Sequence, residues 1–175
     1  MKEIEVKILE VPVEKTQKYL ESIGAKKVFD SYMDIVYLDT PQKTLQSQKK
    51  LLRLRTKGDK AELTFKKVIR VSDVKEMSEL NIEIDSLKYH LDVFVELGYV
   101  VTKRMRKKRV SYALNDMSFE FDTLPHIPTF LEIEAQCVED IYYWVEKLGF
   151  TKNDMKSWSM SDVEHHYAHL LKNKC

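Results

Sequence analysis

Six short runs of this chain alternate apolar residues with charged residues of the types that bind phosphate and metal. Glu3, Glu5 and Lys7 alternate with Ile4, Val6 and Ile8, and Arg53 and Arg55 with Leu52 and Leu54. Glu62, Thr64 and Lys66 alternate with Leu63 and Phe65, and Glu79, Asn81, Glu83 and Asp85 with Leu80, Ile82 and Ile84. Glu120 and Asp122 oppose Phe119 and Phe121, and Glu132 and Glu134 oppose Leu131 and Ile133. Successive side chains on a strand point to opposite faces, so each run presents one charged and one apolar face. A half-buried antiparallel sheet facing water also alternates. Its polar face normally includes Thr, Ser, Gln and Lys, however, whereas Glu, Asp, Arg and Lys dominate here, with acids on some strands and bases on others.

Carboxylate oxygens suit hard cations such as Mg²⁺ or Mn²⁺, which bind through a few acids plus substrate phosphates. Arg forks grip phosphate oxygens bidentately, and Lys supplies a point charge. A barrel closed with its apolar face outward, beneath helices, would point all of these charges into one lumen. Left there unpaired, each would cost several kcal/mol. A highly charged anion held together with a metal is the occupant that such a lumen calls for.

The elements that must position these residues follow from period and punctuation. Glu3 to Glu10 reads as a strand, and Val13 to Gly24 as a helix with Gly24 as its stop signal. Lys27 to Leu38 reads as a second strand, followed by a polar turn or short helix from Thr40 to Gln48. Leu51 to Lys57 and Lys60 to Ile69 form a hairpin around Gly58-Asp59, and Arg70 to Lys75 reads as a charged loop. Glu79 to Asp85 is a strand, and Ser86 caps an amphipathic helix to Gly98. Strands follow over Val100 to Leu114, Met117 to Thr123 and Thr129 to Gln136, then helices from about Asp140 to Leu148 and from Ser161 to Leu171. Eight strands without regular β-α alternation predict an α+β fold, mostly antiparallel, as one domain over residues 1–175.

The 29 Lys plus Arg against 28 Asp plus Glu leave a net charge of +1, so no global field points to nucleic acid or a membrane surface. Cys137 and Cys175 alone make neither a disulfide framework nor a cysteine metal site, and a reducing cytoplasm is the expected location. The N-terminal residues lack an apolar signal core, and no run approaches eighteen apolar residues.

The pattern resembles the CYTH, or triphosphate tunnel metalloenzyme, superfamily. Glu3-Ile4-Glu5-Val6-Lys7 is similar to its hallmark E-x-E-x-K beside the N-terminus. Leu52-Arg53-Leu54-Arg55 resembles its L-R-x-R strand, Thr64-Phe65-Lys66 its T-x-K strand, and Lys107-Lys108-Arg109 before Tyr112 its K-x-R-x-x-Y. Asp122 and Phe130-Leu131-Glu132-Ile133-Glu134 look like its D…F-x-E-I-E, and Lys156-Ser157-Trp158 is similar to its K-S-Y. The resemblance implies a closed eight-stranded antiparallel β-barrel, a tunnel with a charged interior and helices outside. It also implies action on a small-molecule triphosphate with Mg²⁺ or Mn²⁺. Glu3, Glu5, Asp122, Glu132 and Glu134 would hold metal or orient water. Lys7, Arg53, Arg55, Lys66, Lys107 and Arg109 would bind phosphates, with Glu5 and Lys66 catalytic and Glu83 and Lys156 completing the lumen. Three departures stand out: Asn81 where a second acid beside Glu83 is expected, Pro125-His126-Ile127-Pro128 in place of L-G, and Trp158 in place of Tyr.

The mechanism expected is metal-assisted phosphoryl transfer to water, with the basic wall fixing the triphosphate. A class IV-type adenylyl cyclase making cyclic AMP and pyrophosphate is the enzymatic alternative. An RNA- or polyphosphate-binding module is the alternative of another class, motivated by six basic residues within Lys103 to Arg109, of which only half could face a lumen. His165 and His169, one helical turn apart beside His166, lack a further convergent zinc ligand and read as a solvated helix face. Trp144 reads as core packing. A homodimer through the helices is conceivable, although no heptad seam supports it.

Overall fold

The computed structural model describes residues 2–172. Cys175 lies outside them. Nine strands and five helices follow one another as β1 (Lys2–Ile8), α1 (Val13–Ser22), β2 (Lys26–Asp39), α2 (Thr44–Ser47), β3 (Lys50–Lys57), β4 (Lys60–Val71), β5 (Lys75–Ile84), α3 (Leu87–Glu96), β6 (Val100–Leu114), β7 (Met117–Leu124), β8 (Ile127–Ala135), α4 (Val138–Lys147), β9 (Met155–Lys156) and α5 (Met160–Lys172) among the described residues.

The sheet order is β5-β4-β3-β2-β6-β7-β8-β1-β9, and a further β1–β5 pairing closes β1 to β8 into an antiparallel barrel. Strand β1 holds the seam. Its first residues pair with β5, from Lys2 opposite Ser78 to Glu5 opposite Lys75, and its last two pair with β9, which takes over where β5 has departed. Gly58, at φ +65, lets the chain turn tightly between β3 and β4. At the end of β2, Asp39 accepts the backbone N–H groups of Thr40, Leu45 and Gln46, which fixes the turn into β3.

The apolar faces point outward and are covered by helices. Ile4, Val6 and Ile8 of β1, Phe119 and Phe121 of β7 and Leu131 and Ile133 of β8 pack with Leu20 of α1 and with Ile141 and Val145 of α4. Trp144 meets Phe119 edge to face, 5.4 Å between centroids, as its packing role predicts. Tyr112 also faces this outer core, and its hydroxyl donates to Glu21 at 2.7 Å. A second outer cluster joins Leu52 and Leu54 of β3 to Leu91 of α3. Each fully buried side chain of this size contributes about 1.5–3 kcal/mol. On β5, Leu80 and Ile82 face outward with no helix over them, 61% and 58% exposed, so the helical cover is incomplete there.

Helix α5 closes one end. Its Val163 and Tyr167 are buried with Phe130 and Leu124, and Tyr167 donates to Glu10. Phe130 sits two residues before Glu132 on the inward face of β8, so this cluster stoppers the lumen. Several boundaries differ from the sequence expectation, and two of them concern the seam. Lys75 begins β5 instead of ending a loop, because β1 pairs with it, and residues 155–156 form a strand because the edge of β1 is open there.

Candidate functional site

The alternation predicted from sequence delivers its charges to the interior. Lys7 and Glu132 face each other in register, as do Arg109 and Asp122, and Arg55 and Glu62. Glu5, Lys7, Lys107, Arg109, Asp122 and Glu132 are all buried, an arrangement that only mutual neutralisation or a ligand sustains. Most of it is neutralised. Lys7 pairs with Glu5 at 3.2 Å and with Glu132, Lys75 pairs with Glu5 at 3.2 Å, and Lys107 reaches Asp122 at 2.6 Å. Arg109 grips both oxygens of Asp122, at 2.7 and 2.6 Å, and also contacts Glu132 and Glu120. Arg55 pairs with Glu62 at 2.6 Å, and the Lys66 ammonium lies 2.9 Å from both oxygens of Glu3 while also pairing with Glu79.

Two lumen groups stand outside this network. Glu134 makes no hydrogen bond or ion pair to any described residue, yet its carboxylate lies within 4.8 Å of those of Glu3 and Glu5, and of those of Glu120 and Glu132, in two separate groupings. Burial raises its pKa, and the Glu132 carboxylate raises it further. Arg53 is the complement: it meets no carboxylate, donates only to Thr64 at 3.1 Å, and its buried Nε has no partner. An all-oxygen donor set around an acid that has no direct ion-pair partner fits a hard divalent cation, and an unpaired guanidinium fits a phosphate oxygen.

The electrostatics sort the remaining acids. Burial works against charge on Glu5, but Lys7 and Lys75 outweigh it and hold its carboxyl below the usual range. Glu132 is held low in the same way, against burial, by Lys7 and Arg109. Glu3 is different: burial, then its contact with Glu79, pushes it up to about 9. Glu79, despite its own burial, is brought down to about 2 by that contact and by Lys66. Lys107 falls to about 8 through burial and the neighbouring Arg109.

The cavity lined by Glu5, Lys7, Arg53, Lys66, Lys107 and Arg109 has a volume of about 300 Å³, and Ser159 and Met160 at the start of α5 border it. A mouth lined by Glu3, Glu79, Asn81, Asp116, Ser118 and Glu134 opens beside it, where β5 has lost β1 as a neighbour. Acids therefore surround one compartment, and bases dominate the other.

The sequence model of the CYTH domain matches residues 1–150. The chain belongs to the CYTH domain family. No curated protein matches it at a significant level. Among solved structures it resembles the PH1012 protein of Pyrococcus horikoshii at 27% identity, over 92% of this chain and 98% of that one, with a TM-score of 0.78. A candidate adenylate cyclase of Vibrio parahaemolyticus shares the fold at 18% identity, covering 93% and 97% of the two chains, with a TM-score of 0.83. A Hippeastrum protein, described as a candidate adenylyl cyclase with a dominant triphosphatase activity, matches at 18% identity over 92% and 94%, with a TM-score of 0.67.

Of the CYTH residues expected in the lumen, Glu3, Glu5, Lys7, Arg53, Arg55, Lys66, Lys107, Arg109, Asp122, Glu132 and Glu134 converge there. Glu83 does not. It pairs with Lys60 at 2.7 Å, both 65% exposed, because the β4–β5 hairpin runs on past the closed part of the barrel. Lys156 stands opposite Lys7 in register, but its ammonium donates to the Asn153 carbonyl and lies 5.9 Å from the Trp158 ring centroid, apart from the network. Glu62, Glu79, Glu120 and Lys75 enter the network without having been expected as site residues. For Glu62, Glu79 and Glu120 the signal was their place on an alternating charged face. For Lys75 there was none, since its strand starts with it.

Among the described residues no helix is long and apolar enough to cross a membrane. The histidines of α5 join no carboxylate grouping; His166 lies against Trp158, 5.1 Å between centroids.

Proposed function

We propose that the chain is a metal-dependent triphosphatase that releases the terminal phosphate of a triphosphate compound within the barrel. The observation that carries this reading is the pair of groups without a direct ion-pair partner, Glu134 on the acidic side and Arg53 on the basic side of one lumen whose other buried charges are largely paired. A metal-laden polyanion complements both at once.

Mg²⁺ or Mn²⁺, held by Glu3, Glu5 and Glu134 or by Glu120, Glu132 and Glu134, would neutralise phosphate charge as a Lewis acid. Arg53 offers its free Nε to a phosphate oxygen. Arg55, Lys7, Lys66, Lys107 and Arg109 surround the remaining oxygens, and their carboxylate partners hold them in place beforehand. Glu5, kept ionised and oriented by Lys7 and Lys75, accepts a hydrogen bond from the attacking water and aims its oxygen at the terminal phosphorus. Phosphoryl transfer asks for positioning and preorganised charge more than for a strong base, which suits a carboxylate with a lowered pKa.

The test is incubation with inorganic triphosphate, thiamine triphosphate and ATP under Mg²⁺ or Mn²⁺, with orthophosphate, pyrophosphate and cyclic AMP resolved. Orthophosphate release that stops on chelation supports the triphosphatase. Pyrophosphate with cyclic AMP from ATP would make the chain an adenylyl cyclase instead.

A further inference from the structure

We propose that Glu79 is a positioning residue for Lys66, and that Lys66 exchanges its Glu3 partner for the polyanion when Glu3 takes up a divalent cation. This rests on the triphosphatase reading for the identity of the two ligands, but it concerns a coupling between them that the reading does not require.

The geometry gives Lys66 two carboxylates with different commitments. Glu3 comes from β1, and both of its oxygens lie 2.9 Å from the Lys66 ammonium. Glu3 also belongs to the grouping with Glu5 and Glu134 whose oxygens converge within 4.8 Å. Glu79 stands opposite Lys66 in the β4–β5 register, pairs with the same ammonium, and belongs to neither carboxylate grouping. The Asn81 side-chain amide, two residues along the same strand, donates to Glu79 and fixes its carboxylate.

A dication on the Glu3 oxygens that face the ammonium would sit beside a like charge on the same carboxylate, and that repulsion drives the ammonium toward its other partners. Lys66 has the means to move: a flexible four-carbon stem and three donors. Glu79 keeps hold of it, because Glu79 stands outside both carboxylate groupings and Asn81 holds its carboxylate in place. Lys66 already borders the cavity with Arg53, Lys7 and Arg109, so the donors that Glu3 gives up become available to a phosphate there. Cation binding thereby prepares the phosphate side, and Glu3, Lys66 and Glu79 link the acidic mouth to the basic cavity.

The exchange is read on the full-length ¹⁵N-lysine-labelled protein by ammonium NMR, with Lys66 assigned through Lys66→Arg and with Mg²⁺ added in the absence of any triphosphate. Calorimetry on the same sample reports whether Mg²⁺ binds. The expected result is that Mg²⁺ moves the Lys66 resonance in the wild type and leaves it in place in Glu3→Gln. Mg²⁺ binding without movement of Lys66 overturns the exchange alone. No Mg²⁺ binding at all overturns the functional reading and the exchange with it. For Glu79, the dissociation constant of inorganic triphosphate at saturating Ca²⁺ is expected to rise about tenfold or more in Glu79→Gln, the loss expected for a charged hydrogen bond, and to recover in Glu79→Asp. A Glu79→Gln protein that binds inorganic triphosphate as tightly as the wild type overturns the positioning role.

Discussion

Lys7 of β1 and Glu132 of β8 are direct register partners, and their side chains meet inside the barrel as a buried ion pair that also draws in Glu5. The relationship ties function to register. A one-residue slip of β1 would turn Ile4, Val6 and Ile8 inward and expose Glu3, Glu5 and Lys7 to the helices.

Removing one partner of that pair should be costly for the fold itself. Lys7→Met leaves Glu5 and Glu132 without their shared cation, and breaking a buried pair typically costs about 3–5 kcal/mol. Urea unfolding should show that loss as a lower midpoint, and adding Glu132→Gln to Lys7→Met should recover part of it.

Glu134 is expected to behave in the opposite way, because it has no partner to lose. Its pKa is raised by burial and by Glu132, so its ionised form costs stability increasingly as pH rises above the unfolded carboxyl value. In chelator at pH 8, Glu134→Gln should melt at or above the wild-type temperature. With Mn²⁺ at a hundred times its dissociation constant the order should reverse, since the wild type gains about 2.7 kcal/mol by linkage and the variant gains little.

Arg53 makes one hydrogen bond, to Thr64, so its charge serves a ligand more than the fold. Arg53→Gln should leave the unfolding midpoint nearly unchanged and weaken inorganic triphosphate binding by roughly 10- to 100-fold, the range for a lost charge-assisted hydrogen bond. Equilibrium binding in Ca²⁺ separates this from any effect on turnover.

Burial and the contact with Glu79 push the Glu3 pKa up to about 9, so a cation at this carboxylate competes with protons as well as with Lys66. Cation binding should therefore release protons and tighten as pH rises toward 9. Calorimetry in buffers of different ionisation enthalpy should register proton release at pH 7, and Glu3→Gln should reduce that release.

Much of this site was legible because period-two alternation is a local property. Glu3-Ile4-Glu5-Val6-Lys7 and Leu131-Glu132-Ile133-Glu134 declare their inward faces without reference to any partner strand. What the alternation does not carry is where the barrel wall ends. Glu79 and Glu83 lie on the same face of β5, yet β1 pairs with β5 only as far as Ser78, so Glu79 remains inside and Glu83 runs out beyond the wall. That boundary depends on a pairing between residues seventy or more positions apart, as does the place of Lys75 beside Glu5. Tyr112 illustrates the converse. It sits three residues after Arg109, an odd step along β6, and so faces the outer core and α1 instead of the lumen.

The most direct measurement of whether acids and bases converge on one metal-bearing polyanion is anomalous diffraction from crystals soaked with Mn²⁺ and inorganic triphosphate. Mn²⁺ peaks are predicted within coordination distance of Glu134, with triphosphate density reaching the Nε of Arg53. Mn²⁺ bound only on the outer surface, with the lumen ion pairs intact and no triphosphate among them, would contradict the account.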